Sequence, residues 1–139
     1  MTASAAKSGF GLTFAYESAT DTWTSLGEVV SCAPPVKSRG TIQVTHMGSD
    51  DGYHEYIADL KEGGDFSIST NHTLAGSLLQ DTLFEAGSER FKITLSDGRT
   101  CTFTGIPTES GVDEVMIDDK MAAMFSGKVS GKPVWANPA

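Results

Sequence analysis

Phe91-Lys-Ile-Thr-Leu-Ser-Asp-Gly-Arg-Thr-Cys-Thr-Phe103 places apolar side chains at alternate positions on both sides of one Asp-Gly pair. A period of two is that of a strand, and Asp97-Gly98 marks the turn between two of them. A two-residue turn would set Leu95 against Thr100 and Ile93 against Thr102. A three-residue loop, Ser96-Asp97-Gly98 with glycine in the left-handed region, instead sets Ile93 against Cys101 and Phe91 against Phe103. A one-residue slip exchanges the two faces of a strand, so the register that keeps apolar residues together is favoured. The sequence therefore predicts a type I turn with a glycine bulge.

The same alternation extends outward from this hairpin. Leu12, Phe14 and Tyr16 form one set, Ile42 and Val44 another, and Phe66 and Ile68 a third. Further strand-like stretches run from Leu26 to Cys32, stopped by Pro34-Pro35, from Val115 to Ile117, and from Met124 to Val129. Leu74, Leu78, Leu79, Leu83 and Ala86 instead recur at helical spacing. Asn71 or Thr73 can cap that helix, and Gly87 sits where its end needs a positive φ. This predicts a mainly β fold, an antiparallel sandwich or barrel, with one flanking helix at about 74–86 laying one apolar stripe on the sheet. Residues 45–60 have no clean period, 107–114 read as a shorter polar connection, and 134–139 as a frayed end.

At 139 residues and 14.7 kDa, one domain over 1–139 is expected. Mass scaling predicts roughly 14,000 Å² removed from water on folding, enough for a core without metals or disulfides. Ten Lys and Arg against eighteen Asp and Glu give a net charge of −8. Such a chain has no electrostatic reason to grip a phosphate backbone or an anionic membrane. Its 39% apolar share is too rich for a disordered acidic tail. Cys32 and Cys101 are too few for a disulfide scaffold and read as reduced core thiols. No signal-peptide pattern or membrane-length apolar run is present, so the expected place of synthesis and assembly is a cytoplasm.

Catalytic residue types gather only at His46, Asp50, Asp51, His54 and Glu55. Their spacing matches no zinc signature, and a solvated or interface loop is the favoured reading over a metal site. No nucleophile elbow or phosphate-binding glycine loop occurs, and Asp113-Glu114 and Asp118-Asp119 read as solvated faces. No enzyme, cofactor or metal is expected.

The order of elements then carries a resemblance. Trp23-Thr24-x-Leu26 leads into a Val-rich strand, and a polar loop precedes Tyr56-Ile57-Ala58-Asp59-Leu60. Asp97-Gly98 leads to Phe103, and Lys128-Val129-Ser130-Gly131-Lys132-Pro133 closes the series. From about Gly11 to Pro133 the chain resembles the major tail protein family of long flexible-tailed bacteriophages, the lambda-like tail tube proteins.

That resemblance implies a virion protein, assembled in the host bacterial cytoplasm, that forms six-membered rings stacking into a tube for DNA delivery. It implies a tape measure protein in the lumen and terminator and distal tail proteins at the tube ends. It also implies a flexible N-terminal arm, Met1 to Phe10, and an inter-subunit loop at about 45–56 that both order when rings stack. Interface candidates are Phe10, Thr45, His46, Met47, Asp50, Asp51, Tyr53, His54 and Tyr56. The acidic balance fits a wall along which DNA passes without adhering, with Glu28, Asp65 and Asp118 as lumen-facing candidates. The alternatives are another β-rich component, such as a tail terminator or a type VI-like tube protein, and a monomeric ligand- or metal-binding β-barrel.

Overall fold

The computed structural model describes residues 4 and 6–138. Its strands are β1 (Thr13–Ala19), β2 (Thr22–Ser25), β3 (Val29–Ala33), β4 (Ser38–Gln43), β5 (Tyr56–Glu62), β6 (Asp65–Asn71), β7 (Glu89–Thr94), β8 (Thr100–Val112) and β9 (Ala122–Ala136). The one α-helix among the described residues, α1 (Leu74–Ala86), links β6 to β7. Seven strands form an antiparallel sheet in the order β2-β1-β7-β8-β9-β6-β3, and β4 pairs with β5 apart from it.

The β7–β8 hairpin has the predicted register: Ile93 faces Cys101 and Phe91 faces Phe103. The Gly98 N–H donates to the Leu95 carbonyl at 2.9 Å and the Leu95 N–H to that of Arg99 at 2.9 Å. Gly98 has φ +92°, the left-handed value that makes glycine the favoured residue there.

The sheet rolls over on itself. Laid flat, seven strands would hold their edges roughly 29 Å apart, at about 4.8 Å per neighbour. Yet edge strand β2 ends at Ser25 and the opposite edge strand β3 starts at Val29, and a connection that short spans at most about 14 Å. Leu26, its first residue, is fully buried and donates its N–H to the Phe14 carbonyl at 2.9 Å. Inside the roll lie Phe14, Phe66, Phe91, Phe103 and Phe125, with Ile68, Ile93, Cys101 and Val129 beside them. The aromatic rings meet at centroid distances of 5.1–6.1 Å, in the range of favourable ring pairs. This is the expected antiparallel β fold with one helix, in the barrel-like form of a single curled sheet.

Thr73 caps α1, its hydroxyl accepting from the Gly76 N–H at 3.1 Å. The expected apolar stripe is divided between two faces. Leu83 and half-buried Leu79 face the core with Gln80, whose Nε2 donates to Thr70 Oγ1 at 3.3 Å. Leu74 and Leu78 lie on the opposite side, Leu74 being 75% exposed. The spacing of 100° per residue puts residues 74 and 78 nearly opposite 83. One stripe therefore cannot hold all five apolar positions.

Four further expectations are corrected. Leu26 to Cys32 is not one strand, because Leu26 turns into the core before β3 begins. Residues 107–112 are not a polar connection but the second half of β8, paired to β9 from Pro107↔Gly127 to Val112↔Ala123. Val115 to Ile117 is loop, with all three side chains exposed. Val134 to Ala136 are not frayed, since they pair with Thr102, Cys101 and Thr100, and the Arg99 guanidinium lies 4.6 Å from the Trp135 ring. Ala139 lies outside the described residues, as do Met1 to Ala3 and Ala5 of the expected arm. Cys32 and Cys101 are free thiols, Cys101 fully buried and Cys32 partly.

Candidate interaction surface

The hairpin β4–β5 differs from every other strand pair in having each residue of both strands exposed. A strand that packs on a core shows alternating burial, as β6 does. Here both faces meet solvent, and the main contact with the body is β5 against β9. Apolar side chains sit on it nonetheless: Ile42, Ile57 and Tyr56 are exposed, and Leu60 is 85% exposed. The chain exposes 9482 Å² in all, against roughly 6,900 Å² for a compact monomer of this mass. Burial on folding therefore falls short of the expected roughly 14,000 Å², and the outstanding hairpin accounts for part of the difference.

The connection between these strands holds most of the interface candidates and has its own hydrogen bonds. The Glu55 N–H donates to Thr45 Oγ1 at 2.9 Å, and the Val44 N–H to the Glu55 carbonyl at 2.9 Å. The Gly48 N–H donates to His46 Nδ1 at 3.0 Å, leaving Nε2 to face Glu55 Oε2 at 3.3 Å. Ser49 ties the same carboxylate through its hydroxyl and accepts from the His46 N–H at 3.0 Å. Asp50 and Asp51 lie in a single 3-10 turn, closed by the Tyr53 N–H donating to the Asp50 carbonyl at 3.0 Å. His54 Nδ1 meets Gln43 Nε2 at 2.6 Å, and its ring lies 6.4 Å from that of Tyr56.

The structure thus gathers Thr45, His46, Asp50, Asp51, Tyr53 and His54 on one exposed connection, with Tyr56 beside them as the first residue of β5. Met47 is fully exposed on that connection, and Tyr53 and Tyr56 are exposed rather than laid over the domain's own edge. Phe10, 92% exposed, is elsewhere, in the segment preceding β1. That segment is joined to the β7–β8 turn, where the Ser96 hydroxyl donates to the Ser8 carbonyl at 2.5 Å.

His46 and Glu55 come together while His54 turns to Gln43, and no three metal-ligating side chains gather among the described residues. The three acids named for a channel wall are dispersed. Glu28 lies beside β3, its backbone carbonyl accepting from the Asn71 N–H at 2.9 Å, at the far end of β6 from Asp65. Asp118 sits in the connection between β8 and β9.

Two exposed apolar groups were not singled out from sequence. Leu60 is hidden by its charged neighbours Asp59 and Lys61. Val115, Met116 and Ile117 read as strand, although an apolar triplet framed by Asp113-Glu114 and Asp118-Asp119 was the available signal.

A sequence model described as "Lambda phage tail tube protein, TTP" matches residues 8–136. No curated protein sequence matches. Among solved structures, the tail of an empty GTA particle with C6 symmetry is similar at a TM-score of 0.75 and 12% identity, covering 94% of this chain and 99% of that one. The virion of a native gene transfer agent particle is similar at 0.73 and 12%, covering 94% and 99%. A chain of the anti-feeding prophage baseplate, 6-fold symmetrised, is similar at 0.67 and 10%, covering 99% and 98%. At these identities the likeness is one of fold.

Proposed function

The chain belongs to the lambda phage tail tube protein family, a structural protein of the virion tail and not an enzyme, and from that premise we propose that it forms six-membered rings that stack into a DNA-conducting tube. The observation that carries this reading is the β4–β5 hairpin, exposed on both faces and bearing Ile42, Tyr56, Ile57 and Leu60. An exposed apolar patch of this kind marks an interaction site, and a neighbouring subunit would bury it. The similarity to a tail of C6 symmetry and to a chain of a 6-fold symmetrised baseplate supports the ring number.

In this reading Thr45 to Tyr56 and Phe10 supply contacts between subunits, with Tyr53 and Tyr56 as aromatic contact area. A tape measure protein occupies the lumen during assembly, and terminator and distal tail proteins close the ends. Glu28 and Asp65 stay candidates for an acidic wall that lets DNA slide without adhering. Asp118 is less suited to that role, because its loop carries exposed apolar side chains that favour a subunit contact.

Electron microscopy of the concentrated protein tests the reading. The expected result is stacked rings, absent when residues 45–55 are replaced by a two-residue turn. Closed rings that never stack would favour a terminator, and a strict monomer at every concentration would reject assembly.

A further inference from the structure

Half of the chain's cations converge on one cleft. Lys37, Arg39, Lys61, Lys128 and Lys132 line a space of about 740 Å³ between the base of the β4–β5 hairpin and the middle of β9. Glu62 is the one acid in its lining. With five of ten cations and one of eighteen acids placed there, the other five cations and seventeen acids leave the rest of the chain at −12. None of the five forms an ion pair among the described residues, where Arg90 pairs with Glu17 and the other close contact of this kind is His46 against Glu55. The lining also includes the apolar residues Val129 and Pro133, both buried. The volume is within the roughly 300–1,000 Å³ of pockets that take ligands.

The most acidic segment of the chain is complementary to it. The loop between β8 and β9 carries Asp113, Glu114, Asp118 and Asp119, and between them Val115, Met116 and Ile117 are exposed, Ile117 fully. Acids around an apolar centre match cations around an apolar floor. The loop cannot reach its own cleft. Lys128 and Lys132 lie seven and eleven residues along β9 from Met121, roughly 23 and 36 Å, and the loop is held at the far end of the β8–β9 ladder.

We infer that the acidic loop 113–119 of one copy docks in the cationic cleft of a second copy of this chain. Two different surfaces then meet head to tail, the kind of contact that closes into rings or propagates as a filament. The inference rests on the tube reading and names one contact within it. A transiting nucleic acid is a poorer occupant: the surrounding charge of −12 repels a polyanion, and phosphates have no use for the Val129–Pro133 floor.

The test has two independent readouts. In the first, Lys61→Glu/Lys132→Glu and Asp118→Lys/Asp119→Lys are each prepared and examined for tubes by electron microscopy at low salt. Each alone assembles poorly, and mixing the two, or combining all four changes in one chain, restores tubes; that recovery also shows the variants fold. In the second, a labelled peptide of residues 112–121 binds the full chain, and its affinity falls about tenfold in Lys61→Glu/Lys132→Glu. Tubes from both reversed variants, together with no peptide binding, overturn the inference and leave the tube reading intact. Peptide binding by a wild-type chain that associates only into short open oligomers, never rings or tubes, keeps the contact and overturns the tube reading. Capture of double-stranded DNA by the cleft in place of the peptide also overturns the inference.

Discussion

Phe14 and Phe66 stack with ring centroids 6.0 Å apart, although three strands separate β1 from β6 in the sheet. Only a sheet curled over its own inner face brings those two strands together. Phe66 is the hub of that core, meeting Phe14, Phe91, Phe103 and Phe125 at 5.1–6.1 Å.

Phe66→Ala is therefore expected to cost about 3–5 kcal/mol, because rings arriving from four other strands cannot all collapse into the space left. Chemical denaturation reads this directly as a lowered midpoint. A loss under about 1 kcal/mol would mean that the curl does not depend on this ring.

Gly105 faces the same rings from β8. A Cβ there would lie 2.7 Å from Phe66 Cε1 and 2.9 Å from Phe91 Cδ2. Gly105→Ala should destabilise by about 1–3 kcal/mol through overpacking, despite alanine's higher strand compatibility. The thermal midpoint of Gly105→Ala against wild type measures it, and an unchanged or raised midpoint would contradict the crowding.

The two faces of α1 should separate in a stability experiment. Leu83→Ala is expected to cost about 2–5 kcal/mol, since Leu83 is 3% exposed. Leu74→Gln/Leu78→Gln should leave the monomer within about 0.5 kcal/mol of wild type. Equal losses in the two variants would place the helix on the sheet in another orientation.

Burial pushes the Cys32 thiol from 9.0 up to about 11, with Cys101 adding to the rise. Burial likewise raises Cys101 to about 11, against the opposing pull of Arg99 and Lys37. Above about pH 9 the unfolded thiols lose protons that the native thiols keep, so the unfolded state binds fewer protons and stability falls. The contribution is fully present below pH 9 and is lost as pH rises towards 11. Denaturant midpoints from pH 8 to 10.5 should fall more steeply in wild type than in Cys32→Ala/Cys101→Ala. Parallel slopes would exclude the thiols.

The legible parts of the fold were those set by neighbours in the chain. Phe91, Ile93, Cys101 and Phe103 share a face because a three-residue loop leaves one register that keeps them together. Thr73 and Gly87 bound a helix because orphaned backbone groups at its ends need partners of their type. Pro107 to Val112 were misread because the partner that orders them, Ala123 to Gly127, lies across a loop, and no local period records a pairing. Gln80 was overlooked because a buried amide is acceptable only with Thr70 in reach, and Thr70 belongs to another element.

The candidate surface divides in the same way. Composition and the aperiodic run from Thr45 indicated an acidic chain with a long polar connection, because charge and the absence of a period are properties of the sequence itself, although residues 56–60 of that run belong to strand β5. That the flanking strands bury neither face, and that Lys37, Arg39, Lys61, Lys128 and Lys132 share one cleft, was decided by the tertiary structure. These five cations are spread over 96 positions of sequence. Only the return of β9 past the base of the hairpin makes them neighbours, and long-range return is what a local reading of residues does not contain.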